Sequence, residues 1–447
     1  MLADASKIDG DGAVPFGFYL HVPFCSTRCG YCDFTTYTAT DLGFGEHRAS
    51  RESWADTAIA EVRLARRVLG STERLVSTVF MGGGTPTLLP PAELGRVLAA
   101  IKQEFGLIAG AEVSTESNPD SIDAHGLYAL RELGFNRVSF GMQSAVPAVL
   151  TVLDRQHTPG RPLAAVAEAR AAGFEHVNLD LIYGTPGETD RDWQTSLDAV
   201  VAANPDHVSA YGLIVEDGTR LAAQVRRGEL AAPDEDVMAG RYERADSTLS
   251  GAGYAWYEIS NWARPGAHSW HNLAYWQGGD WWGVGPGAHS SFGNVAGGRG
   301  PGSGGGPGAD GGPGAGGGPA SASPGTGRPG PGTGTVRWWN VKHPAAWTTR
   351  LARGQSPALA REVLDEDAAL LEQVMLGTRL ASGLPVAVLD QVPSSEWLGG
   401  TSSARLAAQE LVDEGLLSEL DWRSGRAVPT LKGRLLADVL VRRLLGW

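Results

Sequence analysis

The chain has three cysteines, all in one string, Tyr19-Leu-His-Val-Pro-Phe-Cys25-Ser-Thr-Arg-Cys29-Gly-Tyr-Cys32. An odd, clustered set cannot form a disulfide framework. It points to metal ligation in a reducing compartment. Three thiolates on one tight loop offer three soft ligands to a single centre. A structural zinc wants a fourth ligand; His21 or Asp33 are at hand, neither at familiar finger spacing. A cube held by four cysteines has no open iron. Three cysteines leave one iron free for an exchangeable small molecule. Unligated buried thiols account poorly for three so close together, and among metals the set favours iron–sulfur.

Further polar residues gather where apolar runs end. Met81-Gly82-Gly83-Gly84-Thr85-Pro86 closes one run, and such glycines let backbone approach a ligand, with N–H groups aimed at a carboxylate. Glu116 closes the next, Gln143 follows another, Arg155 comes twelve residues later, and Asp180 lies inside an apolar run. A carboxylate in such a run is costly unless paired or ligand-bound; a structural partnership with Arg155 or a backbone group is the blander account. Taken together these positions fall at strand C-terminal ends, where β/α barrels place their chemistry.

The elements that must hold them follow from periodicity. Apolar runs at 17–22, 77–81, 112–116, 137–141, 176–182 and 207–215 are rich in Val, Ile, Phe and Tyr, as strands are. Stretches at 53–69, 91–105, 122–133, 162–172 and 193–203 have helical spacing. Repeated β-α units predict a parallel sheet with right-handed crossovers, an α/β fold built as a partial (β/α)6 barrel. Residues 297–335 carry 19 Gly and 7 Pro and read as a disordered insertion of no assigned function. The tail predicts helices at 366–380, 386–392 and 404–414, a hairpin at 416–429 and a last helix at 432–445, a winged-helix-like α+β domain. Its middle helix carries Glu410, Asp413 and Glu414, which phosphate repels, so DNA is not its expected partner. The domain reading is a lead at 1–16, a barrel core at 17–230, an extension at 231–296, the insertion, a connector at 336–360 and the tail domain at 361–447.

Composition bounds the rest. The 447 residues are 42% hydrophobic and carry 37 Lys+Arg against 50 Asp+Glu, a net charge of −13. That supports a buried core and disfavours general binding to nucleic acid or anionic membrane. No run reaches a membrane span and no signal-peptide h-region is seen, so a cytoplasmic protein is expected.

The C-x-x-x-C-x-x-C spacing resembles the radical S-adenosylmethionine (SAM) enzymes. The resemblance implies a 4Fe-4S cluster on Cys25, Cys29 and Cys32, with its open iron chelating SAM. An electron from a reductant would then cleave SAM to a 5′-deoxyadenosyl radical. It narrows, through Tyr19, Phe24, the 82–86 turn, Glu116, Gln143, Arg155 and Asp180, to the oxygen-independent coproporphyrinogen III oxidase group. It implies that Gly83, Gly84, Thr85 and Glu116 contact SAM, and that Tyr31, Gln143, Arg155 and Asp180 are counterparts of residues serving a second SAM. Two departures set the chain apart. The oxidase has a further cysteine where this chain has Phe34, and a long N-terminal lead where this chain has 24 residues before Cys25. Both fit the sister family of HemW-type heme chaperones. So does His271-Asn-Leu-Ala-Tyr275-Trp276, which matches the H-N-x-x-Y-W motif that family uses for heme. Imidazole is a standard axial ligand and the two aromatics offer flat faces, although a lone histidine is more often a satisfied core residue. His268 and His289 are second candidates.

Three functions compete. The first is a heme chaperone that binds heme and a SAM-ligated cluster and passes heme to acceptor hemoproteins such as respiratory enzymes, without porphyrin turnover. The second is the oxidase, decarboxylating coproporphyrinogen III. The third is a zinc-stabilised regulator, disfavoured by the acidic charge. A homodimer is compatible with the family.

Overall fold

The computed structural model describes residues 16–39, 41, 50–70, 74–296, 333–392 and 403–446. The expected lead and glycine-rich insertion lie outside the described residues, except Phe16 and residues 333–335, which are strand.

Six β/α units come first. They are β1 (Phe16–Val22), α1 (Arg51–Leu69), β2 (Val76–Gly83), α2 (Pro91–Phe105), β3 (Leu107–Ser117), α3 (Ala124–Leu133), β4 (Arg137–Gln143), α4 (Pro147–Val152), α5 (Arg161–Ala171), β5 (His176–Tyr183), α6 (Asp190–Ala203) and β6 (His207–Gly212). Their strands read as near-continuous apolar runs because a parallel sheet covered by helices is buried on both faces. The helices start where the sequence can cap them. Thr189 accepts from the Asp192 amide while the Asp192 carboxylate accepts from the Thr189 amide, a reciprocal cap that opens α6.

The next stretch holds α7 (Arg220–Arg226), α8 (Glu235–Gly251), β7 (Ala255–Glu258), β8 (Asn261–Ala263), α9 (Trp270–Trp276), β9 (Asp280–Val284), β10 (His289–Ala296), β11 (Thr333–Asn340), α10 (Pro344–Ala352) and β12 (Ala358–Leu364). The strands form one mixed sheet of twelve, ordered β12-β11-β10-β9-β1-β2-β3-β4-β5-β6-β8-β7. β9 and β1 to β6 run parallel, whereas the strands beyond them at both edges are antiparallel. The (β/α)6 core is therefore present inside a wider sheet, and the predicted connector supplies most of β11 and part of β12. One apolar core runs from Phe16 and Phe18 through Trp54, Trp193 and Trp262 to Trp338 and Trp347.

A second apolar core lies in the tail, around Val374, Leu411, Leu440 and Leu444. The tail comprises α11 (Glu366–Gly377), β13 (Leu384–Pro385), α12 (Val386–Leu389), α13 (Ala404–Asp413), α14 (Glu419–Arg423), β14 (Arg426–Ala427), α15 (Leu431–Leu435) and α16 (Ala437–Leu445). Two expectations are corrected here. The predicted hairpin contains α14, because Ser418 caps the Asp421 amide and acidic residues occupy the first turn. The wing pairing is β13 with β14, plus a Leu417–Pro429 bridge. The single last helix is broken at Leu436, whose φ of −115° and ψ of 31° leave the helical region. The break lets Leu440, Val441, Leu444 and Leu445 turn onto the second core.

Candidate functional site

Local packing builds the cysteine loop. β1 delivers the chain to Phe24, whose carbonyl accepts from the Thr85 amide, while Val22 accepts from Gly84. A Cβ on Gly84 would come within 2.5 Å of the Phe24 oxygen, so only glycine lets these two segments close. Cys25 N–H donates to Tyr37, Gly30 N–H to Leu153, and Leu221 N–H to the Gly30 carbonyl. The loop is thus pinned at three points. Tyr31 packs with Val146 among Val149, Leu153, Ile182 and Leu213.

The strand ends then converge. A cavity of 480 Å³ is lined by Cys25, Cys29, Tyr31, Cys32, Gly83, Gly84, Thr85, Glu116, Gln143, Arg155 and Asp180. Residues from the ends of β1 through β6 share it, which requires the sheet to curl around a lumen. Burial pushes the Cys25 thiol up and that of Cys32 to about 11, so these sulfurs become thiolates only beside a cation. Among the described residues no three His, Cys, Asp or Glu side chains converge as one metal ion requires. The three sulfurs line one cavity, and a cluster whose irons each take a separate thiolate can be held from such a wall.

The charges around them have unmet needs. Burial, reinforced by Asp180, pushes Glu116 up to about 8, opposed by a bond from the Gly83 amide at 2.9 Å. That amide is therefore occupied rather than open to a ligand carboxylate, as the glycine turn led us to expect. Asp180 is raised by burial and held by Ser139 at 2.8 Å and Asn178 at 2.7 Å. Neither carboxylate forms a close ion pair among the described residues; Arg155 makes no direct contact with Asp180, although its charge acts to lower that carboxyl. Arg155 instead donates to Gly141 O at 2.5 Å and approaches Cys29 Sγ at 3.8 Å, while its buried Nε has no partner among the described residues. Gln143 sits at φ 67° where β4 slips register against β5, a left-handed conformation costing about 1–3 kcal/mol that turns up at ligand clamps. Two buried carboxylates outside any close ion pair among the described residues, an orphaned guanidinium N–H and three thiols fit a cationic amino-acid ligand beside a cluster.

Sequence reasoning missed Ser139, Asn178, Ser209 and Tyr211. The signal was present as period-two polarity inside buried strands, where every second residue faces the lumen.

Tyr19 is not in this cavity. It lines a second one of 720 Å³, with Tyr275, Trp281, His289, Trp339 and Lys342. The two cavities share Asp33, Phe34, Gly83 and Glu116 as a common wall. His271 lines neither. It is buried, bonded to Thr78 Oγ1 at 2.8 Å and Tyr275 OH at 2.8 Å, and stacked on Phe80. Burial lowers it to about 3, so the ring is neutral. Trp276 turns away to bond Glu258. Of the H-N-x-x-Y-W string, Tyr275 alone reaches the second cavity. His268 lies against Tyr257, with its carbonyl bonded to Arg137, outside both cavities.

Residues 19–200 match the Radical SAM superfamily model. The chain is 47% identical over 432 residues to the Heme chaperone HemW of Mycobacterium tuberculosis, covering 97% of this chain and 95% of that protein. It is 40% identical over 274 residues to Radical S-adenosyl methionine domain-containing protein 1, mitochondrial, of Mus musculus, covering 61% and 60%. The coproporphyrinogen III oxidase (HemN) of Escherichia coli superposes with a TM-score of 0.72 at 22% identity, over 96% of this chain and 90% of that one, a likeness of fold. The three-cysteine loop, the shared fold and the near-complete alignment together lead to one conclusion: the chain belongs to the HemW family of radical SAM proteins.

Proposed function

We propose that this protein is a heme chaperone that holds a SAM-ligated 4Fe-4S cluster in one cavity and heme in the other, and delivers heme to acceptor hemoproteins in the cytoplasm. Support comes from the relative named as a heme chaperone along nearly the whole chain. The structural observation that carries it is the common wall of Asp33, Phe34, Gly83 and Glu116 between a thiol cavity and an aromatic one.

In this reading Cys25, Cys29 and Cys32 hold the cluster, which when bound supplies an electron to the SAM sulfonium. Glu116 and Asp180 take the cationic end of SAM, whose charge relieves their burial. Gly83, Gly84 and Thr85 shape the cradle. Tyr31, Gln143 and Arg155 close the far side, where a third cavity of 720 Å³ shares Cys29 and Arg155 and gives room for a second SAM. Phe34 takes no part in ligation and stands between the cavities. Tyr19 and Tyr275 serve the heme side, with His271 behind Tyr275. The expected domains are kept as a proposal, with residues 361–447 as a separate tail unit packed on its own core.

The test is anaerobic reconstitution with iron and sulfide, followed by two assays. Added heme is expected to give a stoichiometric Soret band. Coproporphyrinogen III is expected to persist in the presence of SAM and dithionite; its consumption would make the protein an oxidase.

A further inference from the structure

The aromatic cavity contains a histidine suited to iron, and it is not the one in the H-N-x-x-Y-W string. An axial ligand needs a ring nitrogen with its lone pair unengaged and a path to the metal. His271 has neither, since Thr78 and Tyr275 occupy both nitrogens and the ring is buried. His21, on the cavity wall, is likewise engaged by Tyr19 OH at 2.9 Å and the Thr35 carbonyl at 2.8 Å. His289 is the exception. It is exposed, and neither ring nitrogen has a hydrogen-bond partner among the described residues.

Its setting is built rather than accidental. His289 opens β10 opposite Trp339 on β11, and the two rings stack with centroids 5.8 Å apart and planes 22° apart. Its carbonyl accepts from the Trp281 indole at 2.9 Å, and Gly283 lies so close to that carbonyl that any Cβ would collide. Trp281 meets Tyr275 edge-on at 4.5 Å, and Tyr275 meets His271 edge-on at 4.8 Å. Ring contacts therefore run from the buried His271 through Tyr275 to Trp281, whose indole N–H reaches the backbone of the exposed His289. The cavity, at 720 Å³, falls within the roughly 300–1,000 Å³ of small-molecule sites. Lys342 lines it and makes no ion pair among the described residues, whereas Arg337 is taken up by Glu372.

We propose that His289 is the axial ligand of heme in this cavity, that Lys342 receives a heme propionate, and that His271 is a positioning residue acting through Tyr275. The proposal rests on the heme-chaperone reading and deepens it by naming the iron ligand. An exposed ligand also suits delivery, because an incoming acceptor histidine can reach the iron without unfolding the barrel.

The experiment titrates ferric heme into the full chain and records Soret, visible and electron paramagnetic resonance spectra. His289→Ala is expected to lose the imidazole-ligated signature and to bind at least about 100-fold more weakly, since loss of an outer partner alone costs about 10–100-fold. Free imidazole is expected to restore the spectrum, which a purely structural role would not allow. His271→Gln, which keeps a group able to bond Tyr275, is expected to retain the wild-type spectrum with affinity within about tenfold. If that buried variant does not fold, the rescue of His289→Ala decides alone. A wild-type spectrum in His289→Ala overturns the assignment. So does loss of the signature in His271→Gln with recovery on imidazole. A wild-type protein with no heme band overturns the chaperone reading itself, a separate outcome.

Discussion

Cys29 shows how much one position can separate. Its thiol lines the cluster cavity and approaches Arg155, but it is absent from the wall of the aromatic cavity. Cys29→Ser replaces a soft ligand with a hard one that stays protonated. The expected outcome is loss of iron and sulfide from the anaerobically prepared protein, with heme binding retained in part. Heme binding that falls in proportion to sulfide content would show a single site instead of two. The cysteine spacing marks these loop residues as ligands in the sequence, and period-two polarity marks the strand residues that face them. His271 shows the limit of that reading. Its motif is legible, but its two hydrogen bonds depend on Thr78 and Tyr275 arriving from other elements.

Among elements, α1 has a duty beyond covering the sheet. Its buried Glu61 accepts from Gly285 N–H at 2.9 Å, Asn340 at 2.7 Å and the Trp347 indole at 2.6 Å. One carboxylate thereby ties the β9–β10 turn to β11 and α10, and with it the approach to His289. Burial outweighs the three donors and raises Glu61 from 4.5 to about 7. The folded state thus holds this proton more tightly than the unfolded chain. The resulting stability is fully present below about pH 4.5 and is lost as pH rises through about 7, by up to about 3 kcal/mol. Other buried carboxylates act in the same direction, so the isolating variant is Glu61→Gln. Denaturant unfolding between pH 5 and 8 is expected to give it a flatter pH dependence than wild type; equal slopes would assign the titration elsewhere.

For the whole molecule, the question is how two cores act as one. Arg434, on α15, joins them. It forms a two-pronged pair with Asp246 of α8 at 2.8 and 3.1 Å and lies 4.3 Å from the Trp256 ring, both in the sheet unit. Both side chains of the pair are largely buried. Removing one partner of such a pair costs about 3 kcal/mol or more, because the other charge is left uncompensated. Arg434→Ala is expected to lower the unfolding midpoint and to raise amide exchange in α15 and α16 ahead of the barrel strands. Uniform exchange across the chain would show that the tail is held by other contacts. No described helix is long and apolar enough to cross a membrane.

The sequence by itself determined the chemistry of the loop and the periodicity of the elements. A soft-ligand spacing and an alternation of strand and helix are local properties, written in consecutive residues. Only the tertiary structure decided which inward-facing residues share a cavity. Strand register brought His289 against Trp339, placed Tyr19 and Tyr275 together on the aromatic side, and gave His271 its bonded partners. Alternation tells which face a side chain takes, but the order and curl of twelve strands decide what it meets there.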